Sequence, residues 1–278
     1  MKIGVVSRSF SAEKTSAEIA AEMALKGFDS TEVCFNSLGA KFWCYNGRTD
    51  LSGLTDELAA SVISDYRRAG IDTVSLGVFS NLMEPDANEL EAVFARYERF
   101  MRIAADNGVP AVSTETGFVP GKRGINTDTY QSDHDYFLKN MRRLCNMAEG
   151  YGVKIAYEPC VLDVLPSAKR VRDFINEVGS DSLGILLDPA NLIANSDEED
   201  MFKYLAPYVV YFHGKDRKVN DTYGRLVGDG DIDWVKFLSL YHRHCEGKPF
   251  ILEYVNDDNC AEIRQRVLDY DRKATGNA

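Results

Sequence analysis

The sequence predicts an α/β protein, a single (β/α)₈ barrel domain over residues 1–278. Eight short runs of β-branched and aromatic residues alternate with eight segments of helical periodicity, which is typical of parallel strands joined by helices. No linker or shift in composition divides this alternation, and the length is close to the roughly 250 residues typical of such a barrel. The alternative, a doubly wound open sheet, is disfavoured because the first strand leads into Ser7-Arg-Ser-Phe10 and not into a glycine-rich phosphate loop.

The N-terminal half contains four strand–helix units. Its predicted strands are apolar runs, at 3–6, 31–35, 71–79 and 109–114. Its predicted helices repeat apolar residues every three or four positions, at about 11–27, 54–69, 85–107 and 133–150. Gly70 and Gly108 stand where the second and third of these helices end, as glycine often does. After the second strand, the loop with Phe42, Trp43 and Tyr45 is too apolar for a simple linker. We expect the loop to form a wall or lid over a ligand, to pack against itself, or to form a contact between copies in a homo-oligomer.

The C-terminal half repeats the unit four more times. Its predicted strands are at 153–157, 183–187, 209–212 and 249–252, and the helices that follow at about 167–178, 233–244 and 258–270, with a shorter one near 199–205. The third strand, Val209 to Phe212, is apolar without alternation, which suits a strand buried on both faces of a parallel sheet.

Composition excludes several classes of protein. Hydrophobic residues make up 45% of the chain and charged residues 27%, which is ordinary for a globular protein. The formal net charge of −11 argues against nucleic-acid binding, which requires a basic surface. No window approaches about 18 uncharged apolar residues, so no membrane span is expected. The six cysteines form no C-x-x-C pair and no signal-peptide pattern precedes the first strand, so we expect reduced thiols and a cytoplasmic location.

Each strand of the C-terminal half ends in a polar side chain, in order Glu158, Asp188, His213 and Glu253. Because successive members are one strand–helix unit apart, all four are expected on the same rim of the barrel. Three carboxylates that close would repel and raise one another's pKa. A divalent cation resolves this conflict, so the four residues are predicted metal ligands. One imidazole among oxygen ligands favours Mn²⁺ as the bound ion, and Mg²⁺, Co²⁺ or a non-structural Zn²⁺ are the alternatives.

The same four residues suggest a reaction. Glu158 and Glu253, placed on opposite sides of a polyol carbon, are able to act as general base and general acid. A metal ion next to the adjacent hydroxyl and carbonyl oxygens would stabilise an enediolate. The expected chemistry is therefore proton transfer beside a carbonyl, as in aldose–ketose isomerisation or epimerisation of a small-molecule sugar substrate.

Several motifs resemble the xylose isomerase-like TIM barrel superfamily and, within it, the sugar phosphate isomerase/epimerase family that includes ketose 3-epimerases. They are Tyr157-Glu158-Pro159, Leu187-Asp188-Pro-Ala-Asn191, His213-Gly-Lys-Asp216, Gly228-Asp-Gly-Asp-Ile-Asp-Trp234, Leu252-Glu253-Tyr254 and Asn81-Leu-Met-Glu-Pro-Asp86. The resemblance implies that Glu158, Asp188, His213 and Glu253 hold a divalent metal. It also implies that Glu158 and Glu253 exchange the substrate proton.

The predicted substrate contacts are less uniform. They are Asn81, Asn191, Lys215, Asp216 and Arg217. The resembling epimerases have a histidine where this chain has Asn191, which can hydrogen-bond a hydroxyl but cannot carry a proton at neutral pH. Their substrate arginine falls where this chain has Val219, with Arg217 nearby. Lys215 is a candidate cation for a phosphate or oxyanion, and a loop salt bridge is the alternative for Lys215 and Asp216.

Three other functions fit parts of the pattern. A lyase or dehydratase acting on a keto-polyol would use the same metal site, because elimination also begins with proton abstraction beside a carbonyl. An abasic-site endonuclease shares the barrel but needs several histidines at strand ends, where this chain has one, and a less acidic surface. A non-catalytic binding barrel is disfavoured, because it would not need an intact set of four metal ligands. The sugar, its phosphorylation and the oligomeric state stay open.

Overall fold

The computed structural model describes residues 1–276 and contains eight parallel strands that surround a common axis. These strands are β1 (Ile3–Val5), β2 (Ser30–Val33), β5 (Asp72–Gly77), β6 (Ala111–Glu115), β7 (Lys154–Glu158), β8 (Leu183–Leu187), β9 (Val209–Gly214) and β10 (Phe250–Leu252). They are hydrogen-bonded in the order β1-β10-β9-β8-β7-β6-β5-β2. The prediction of a (β/α)₈ barrel is confirmed.

Eight helices follow the strands on the outside of the barrel. They are α1 (Ser16–Leu25), α2 (Asp56–Arg68), α3 (Ala87–Asn107), α4 (Tyr130–Tyr151), α5 (Ala168–Val178), α6 (Glu198–Leu205), α7 (Trp234–His244) and α8 (Cys260–Ala274). Gly108 ends α3 with a φ of 70°, a left-handed conformation that glycine adopts without steric cost. No helix in residues 1–276 is long and apolar enough to cross a membrane.

The barrel is nearly closed between its first two strands. Asp29 N donates to Ile3 O over 3.2 Å, and Thr31 Oγ1 donates to Val5 O over 2.7 Å. A Cβ on Gly4 would lie 2.2 Å from Ser30 O, so only glycine permits this approach of β1 to β2.

The buried apolar residues form two layers. The larger lies between strands and helices and includes the stacked rings of Phe137 and Phe174, whose centroids are 4.9 Å apart. The smaller lies inside the barrel and contains Val6, Cys34, Val74, Phe79, Ala111, Ala156, Leu186, Tyr211 and Ile251. The strands and helices therefore shield polar side chains above this inner layer from solvent. A ligand would approach these side chains from the C-terminal rim of the barrel.

Two segments differ from the sequence-based prediction. The first helix begins at Ser16 and not near residue 11, because Thr15 and Glu18 form a reciprocal capping box that fixes its start. The loop after β2 contains a short antiparallel pair, β3 (Asn36–Ser37) and β4 (Ala40–Lys41), which the sequence analysis did not predict. The aromatic loop follows this pair, and the amides of Phe42 and Trp43 both donate to Phe35 O over 2.8 Å.

Candidate metal centre

The structure brings the four predicted ligands together. Glu158 ends β7, Asp188 follows β8, His213 lies in β9 and Glu253 follows β10. One donor atom from each lies within 4.8 Å of the others, and all four residues are buried. They meet because parallel strands deliver their carboxyl ends to one rim of a barrel.

A lysine ammonium lies among these carboxylates. Lys215 Nζ is 2.5 Å from Asp188 Oδ2 and 2.9 Å from Glu253 Oε2, and the lysine is 5% exposed. Its Nζ also lies 5.0 Å from the centre of the Tyr254 ring. A positive charge is thus already accommodated between two of the four predicted ligands. The four predicted ligands offer three carboxylates and one imidazole, a set of donors that binds divalent cations.

Burial and neighbouring charge shift the ionisation of these groups. Burial raises the pKa of Asp188 to about 7, against the opposing influence of the Lys215 ammonium. Burial acts in the same direction on Glu253, but the Lys215 and Arg8 cations prevail and lower its pKa below the ordinary value. For His213, burial favours the neutral ring, yet the carboxylates of Glu158 and Glu253 raise its pKa.

His213 is held from both sides of its ring. Nδ1 lies 3.3 Å from Glu158 Oε1 and faces the predicted ligands, while Nε2 lies 3.4 Å from Glu32 Oε2. Glu32 is fully buried in β2, where Tyr211 Oη donates to its Oε2 and Ser113 Oγ lies 3.2 Å from the same atom. The second ring nitrogen thus faces a fixed carboxylate, an arrangement that orients histidine ligands in metal sites.

Two of the predicted substrate residues continue the cluster outward. Asn191 Nδ2 donates to Glu158 Oε1 over 2.9 Å, and Arg217 Nη2 donates to Asn191 Oδ1 over 3.1 Å. Both residues are buried. The amide of Asn191 therefore links a predicted proton-transfer residue to a guanidinium.

Asp216, another predicted substrate contact, is hydrogen-bonded within its own loop. The carboxylate of Asp216 accepts from Trp234 Nε1 over 2.7 Å and from backbone amides of Gly228 and Arg217 over 3.0 and 2.8 Å. A Cβ on Gly230 would lie 2.0 Å from Asp216 Oδ1, which accounts for that glycine. Asp216 organises the loop after β9, and its predicted substrate contact stays a prediction.

Asn81 similarly joins two loops at the rim. Its Oδ1 accepts from Met83 N and Phe118 N, each over 3.0 Å, and its Nδ2 donates to Phe118 O over 2.9 Å. These bonds account for a buried amide at this position without a ligand. Its predicted role toward substrate stays a prediction.

The aromatic loop lies at the mouth of the barrel. Trp43 packs on the inner apolar layer, and the Arg8 guanidinium lies 5.3 Å from its ring centre. Arg8 also donates to Glu253 Oε1. Across the mouth, Tyr45 Oη donates to Glu115 Oε2 over 2.6 Å, and burial raises the pKa of Glu115. A wall over a ligand stays a prediction for this loop, in which 41% of Tyr45 is exposed.

Glu32 is the site residue that the sequence analysis missed. It stands in an apolar segment, Thr31-Glu-Val-Cys-Phe35, as a carboxylate within a buried strand. Charged residues are almost never fully buried unless they are paired. A glutamate in such a strand was therefore a signal of a polar partner inside the barrel, and that partner is His213.

Comparisons with known proteins agree with this architecture. The sequence model for the xylose isomerase-like TIM barrel matches residues 19–273. No curated protein sequence matches this chain significantly. Among solved structures, a D-tagatose 3-epimerase-like protein superimposes with a TM-score of 0.79 at 16% identity, covering 99% of both chains. The IOLI protein with a bound zinc atom gives 0.76 at 15%, also covering 99% of both. A D-psicose 3-epimerase crystallised with D-fructose gives 0.75 at 17%, covering 99% of this chain and 100% of its own.

Proposed function

Because this chain belongs to the family of xylose isomerase-like TIM barrels, we propose that it is a divalent-metal-dependent isomerase or epimerase of a sugar or sugar phosphate. The observation that carries the proposal is the convergence of Glu158, Asp188, His213 and Glu253, which are all buried and whose donor atoms lie within 4.8 Å of one another. The D-tagatose 3-epimerase-like and D-psicose 3-epimerase neighbours support the reaction class.

We assign the metal to these four residues. When bound, a divalent ion such as Mn²⁺ would act as a Lewis acid that polarises the substrate carbonyl and lowers the cost of the enediolate. The zinc bound by the IOLI protein supports a divalent ion in this barrel type. Six free cysteines, five of them buried, support a reducing compartment such as the cytoplasm.

Glu158 and Glu253 transfer the proton. One carboxylate takes the proton from the carbon beside the carbonyl, and the electron pair moves into the enediolate. The other carboxylate, which starts the cycle protonated, returns its proton to the opposite face of the same carbon in epimerisation. In isomerisation it returns the proton to the former carbonyl carbon, while the proton of the adjacent hydroxyl moves to the former carbonyl oxygen. The Lys215 and Arg8 cations lower the pKa of Glu253, and Asn191 donates a hydrogen bond to Glu158 Oε1.

Deuterium exchange tests this function. The protein is stripped with EDTA, reloaded separately with Mn²⁺, Mg²⁺, Co²⁺ or Zn²⁺, and incubated with D-fructose, D-psicose and D-fructose 6-phosphate in D₂O. We expect metal-dependent deuterium incorporation beside the carbonyl, observed by NMR, and loss of exchange by at least about 100-fold in Glu158→Gln and Glu253→Gln.

Glu198→Gln is the matched control. Glu198 is a buried glutamate that accepts a hydrogen bond from Asp233 N, so its substitution removes the same charge without touching the four ligands. Full exchange in Glu158→Gln or Glu253→Gln would contradict the two-base mechanism. A product lighter by one water, detected by mass spectrometry, would indicate the lyase or dehydratase instead.

A further inference from the structure

Among residues 1–276, Arg217 is a buried cation without an anionic partner. It is 5% exposed, and its Nε and Nη1 atoms are buried with no hydrogen-bond partner among residues 1–276. Its one side-chain hydrogen bond in this part of the chain goes to a neutral group, Asn191 Oδ1. Burying a charge without a counter-charge is strongly unfavourable. The position is therefore incomplete without an anion.

The backbone of Arg217 is fixed in place. Its amide donates to Asp216 Oδ1 over 2.8 Å, and its carbonyl accepts from Asp231 N over 3.0 Å. Two other arginines near the rim have carboxylate partners: Arg8 has Glu253, and Arg225 has Asp221 at 2.5 Å. Arg217 differs from both because its guanidinium is directed, through Asn191, toward Glu158.

A second cation lies at the same site. Lys215 Nζ neutralises Asp188 and Glu253, two of the residues assigned to the metal. A divalent ion at this position would take over these carboxylates and repel the ammonium. Lys215, which is 5% exposed, would then need another anionic partner.

We propose that the substrate carries an anionic group, a carboxylate or a phosphate, which Arg217 binds and Lys215 supports. This inference rests on the proposed function and narrows its substrate class to keto sugar acids and keto sugar phosphates. Guanidinium groups match the planar fork of a carboxylate and the oxygens of a phosphate with charge-assisted hydrogen bonds. Asn191 lies between this anion site and Glu158, so the anionic end of the substrate sits away from the carbon that exchanges its proton.

Three ligands with one carbon skeleton test the proposal. D-fructose, D-fructuronate and D-fructose 6-phosphate differ at carbon 6, which is a hydroxymethyl, a carboxylate or a phosphate ester. Isothermal titration calorimetry of the Mn²⁺-loaded protein is expected to give at least about tenfold tighter binding for one or both anionic ligands than for D-fructose. The tighter of the two identifies the anionic group. No measurable binding of either anion, or equal affinity for all three ligands, overturns the inference.

Arg217→Met and Arg225→Met form a matched pair. Each removes one positive charge from the segment after β9, but Arg225 is already paired with Asp221. We expect Arg217→Met to lose the preference for the anionic ligand by about tenfold or more and to retain Mn²⁺ affinity, while Arg225→Met keeps the preference. An equal loss in both variants overturns the inference. The ligand comparison on the unmodified protein decides the question even if Arg217→Met does not fold.

The two proposals fail separately. Tight anion binding without any deuterium exchange would contradict the proposed isomerase or epimerase activity and would still support the anion site. Metal-dependent exchange on D-fructose with no preference for the anionic ligands contradicts only the anion site.

Discussion

Nε2 of His213 lies 3.4 Å from Oε2 of Glu32, a fully buried carboxylate on a strand that is distant in the sequence. The other ring nitrogen faces the predicted ligands. Tyr211 and Ser113 fix Glu32 from below, so the carboxylate determines which way the imidazole points. Glu32 is therefore placed to orient His213 in the proposed metal centre.

Replacing Glu32 with Gln should weaken metal binding. The substitution keeps the size of the side chain but removes the charge that orients His213, and losses of this kind typically cost about 10- to 100-fold in metal affinity. Titration calorimetry with Mn²⁺ and the visible spectrum of the Co²⁺-loaded protein measure the effect. Ser75→Ala is the control, because Ser75 bonds Ser113 at 2.5 Å in the same interior without contacting His213. An unchanged Mn²⁺ affinity in Glu32→Gln would show that the contact is only structural.

Replacing Lys215 with Met should destabilise the metal-free protein more than the metal-loaded one. Without the ammonium, Asp188 and Glu253 lose their close cation, and breaking a buried pair costs about 3–5 kcal/mol. A bound divalent ion replaces that charge. Thermal unfolding with EDTA and with Mn²⁺ should show a large loss of Tm in EDTA and a much smaller one with the ion. An equal loss under both conditions would contradict a shared cation position.

Replacing Asp216 with Asn should lower stability by about 2–3 kcal/mol, because an amide has one accepting oxygen for the Trp234, Gly228 and Arg217 donors. The midpoint of urea unfolding measures the change. Asp231→Asn is the control, since exposed Asp231 accepts only from Val219 N and its loss should cost under about 1 kcal/mol. Similar urea midpoints for the two variants would show that Asp216 does not organise this loop.

One thiol should react with Ellman's reagent in the native protein. Cys44 is partly exposed, whereas the other five cysteines are buried. Burial raises the pKa of Cys145 and of Cys160 to about 12, which suppresses their thiolates at neutral pH. Cys44→Ser should abolish the fast reaction, and denaturation should expose all the remaining thiols. Rapid reaction of two or more thiols in native protein would indicate local opening of the barrel.

The barrel and its rim could be predicted from sequence because both depend on local order. Apolar runs alternate with helical periodicity, and a polar residue ends each of the last four strands. This pattern predicts that Glu158, Asp188, His213 and Glu253 lie on one rim. The short pair of β3 and β4 escaped prediction because two-residue strands carry no periodicity. Helix ends such as Thr15 depended on capping geometry.

The sequence by itself determined the fold class, the order of the strands and the candidate ligands, since these follow from periodicity and chain order. Only the tertiary structure decided what surrounds the ligands. The carboxylate of Asp216 is hydrogen-bonded within its own loop. Glu32 meets His213, Lys215 lies between the carboxylates of Asp188 and Glu253, and Arg217 has no counter-ion among residues 1–276. Such pairings join residues far apart in the chain, and their partners are set by side-chain packing inside the closed barrel, which no local pattern records.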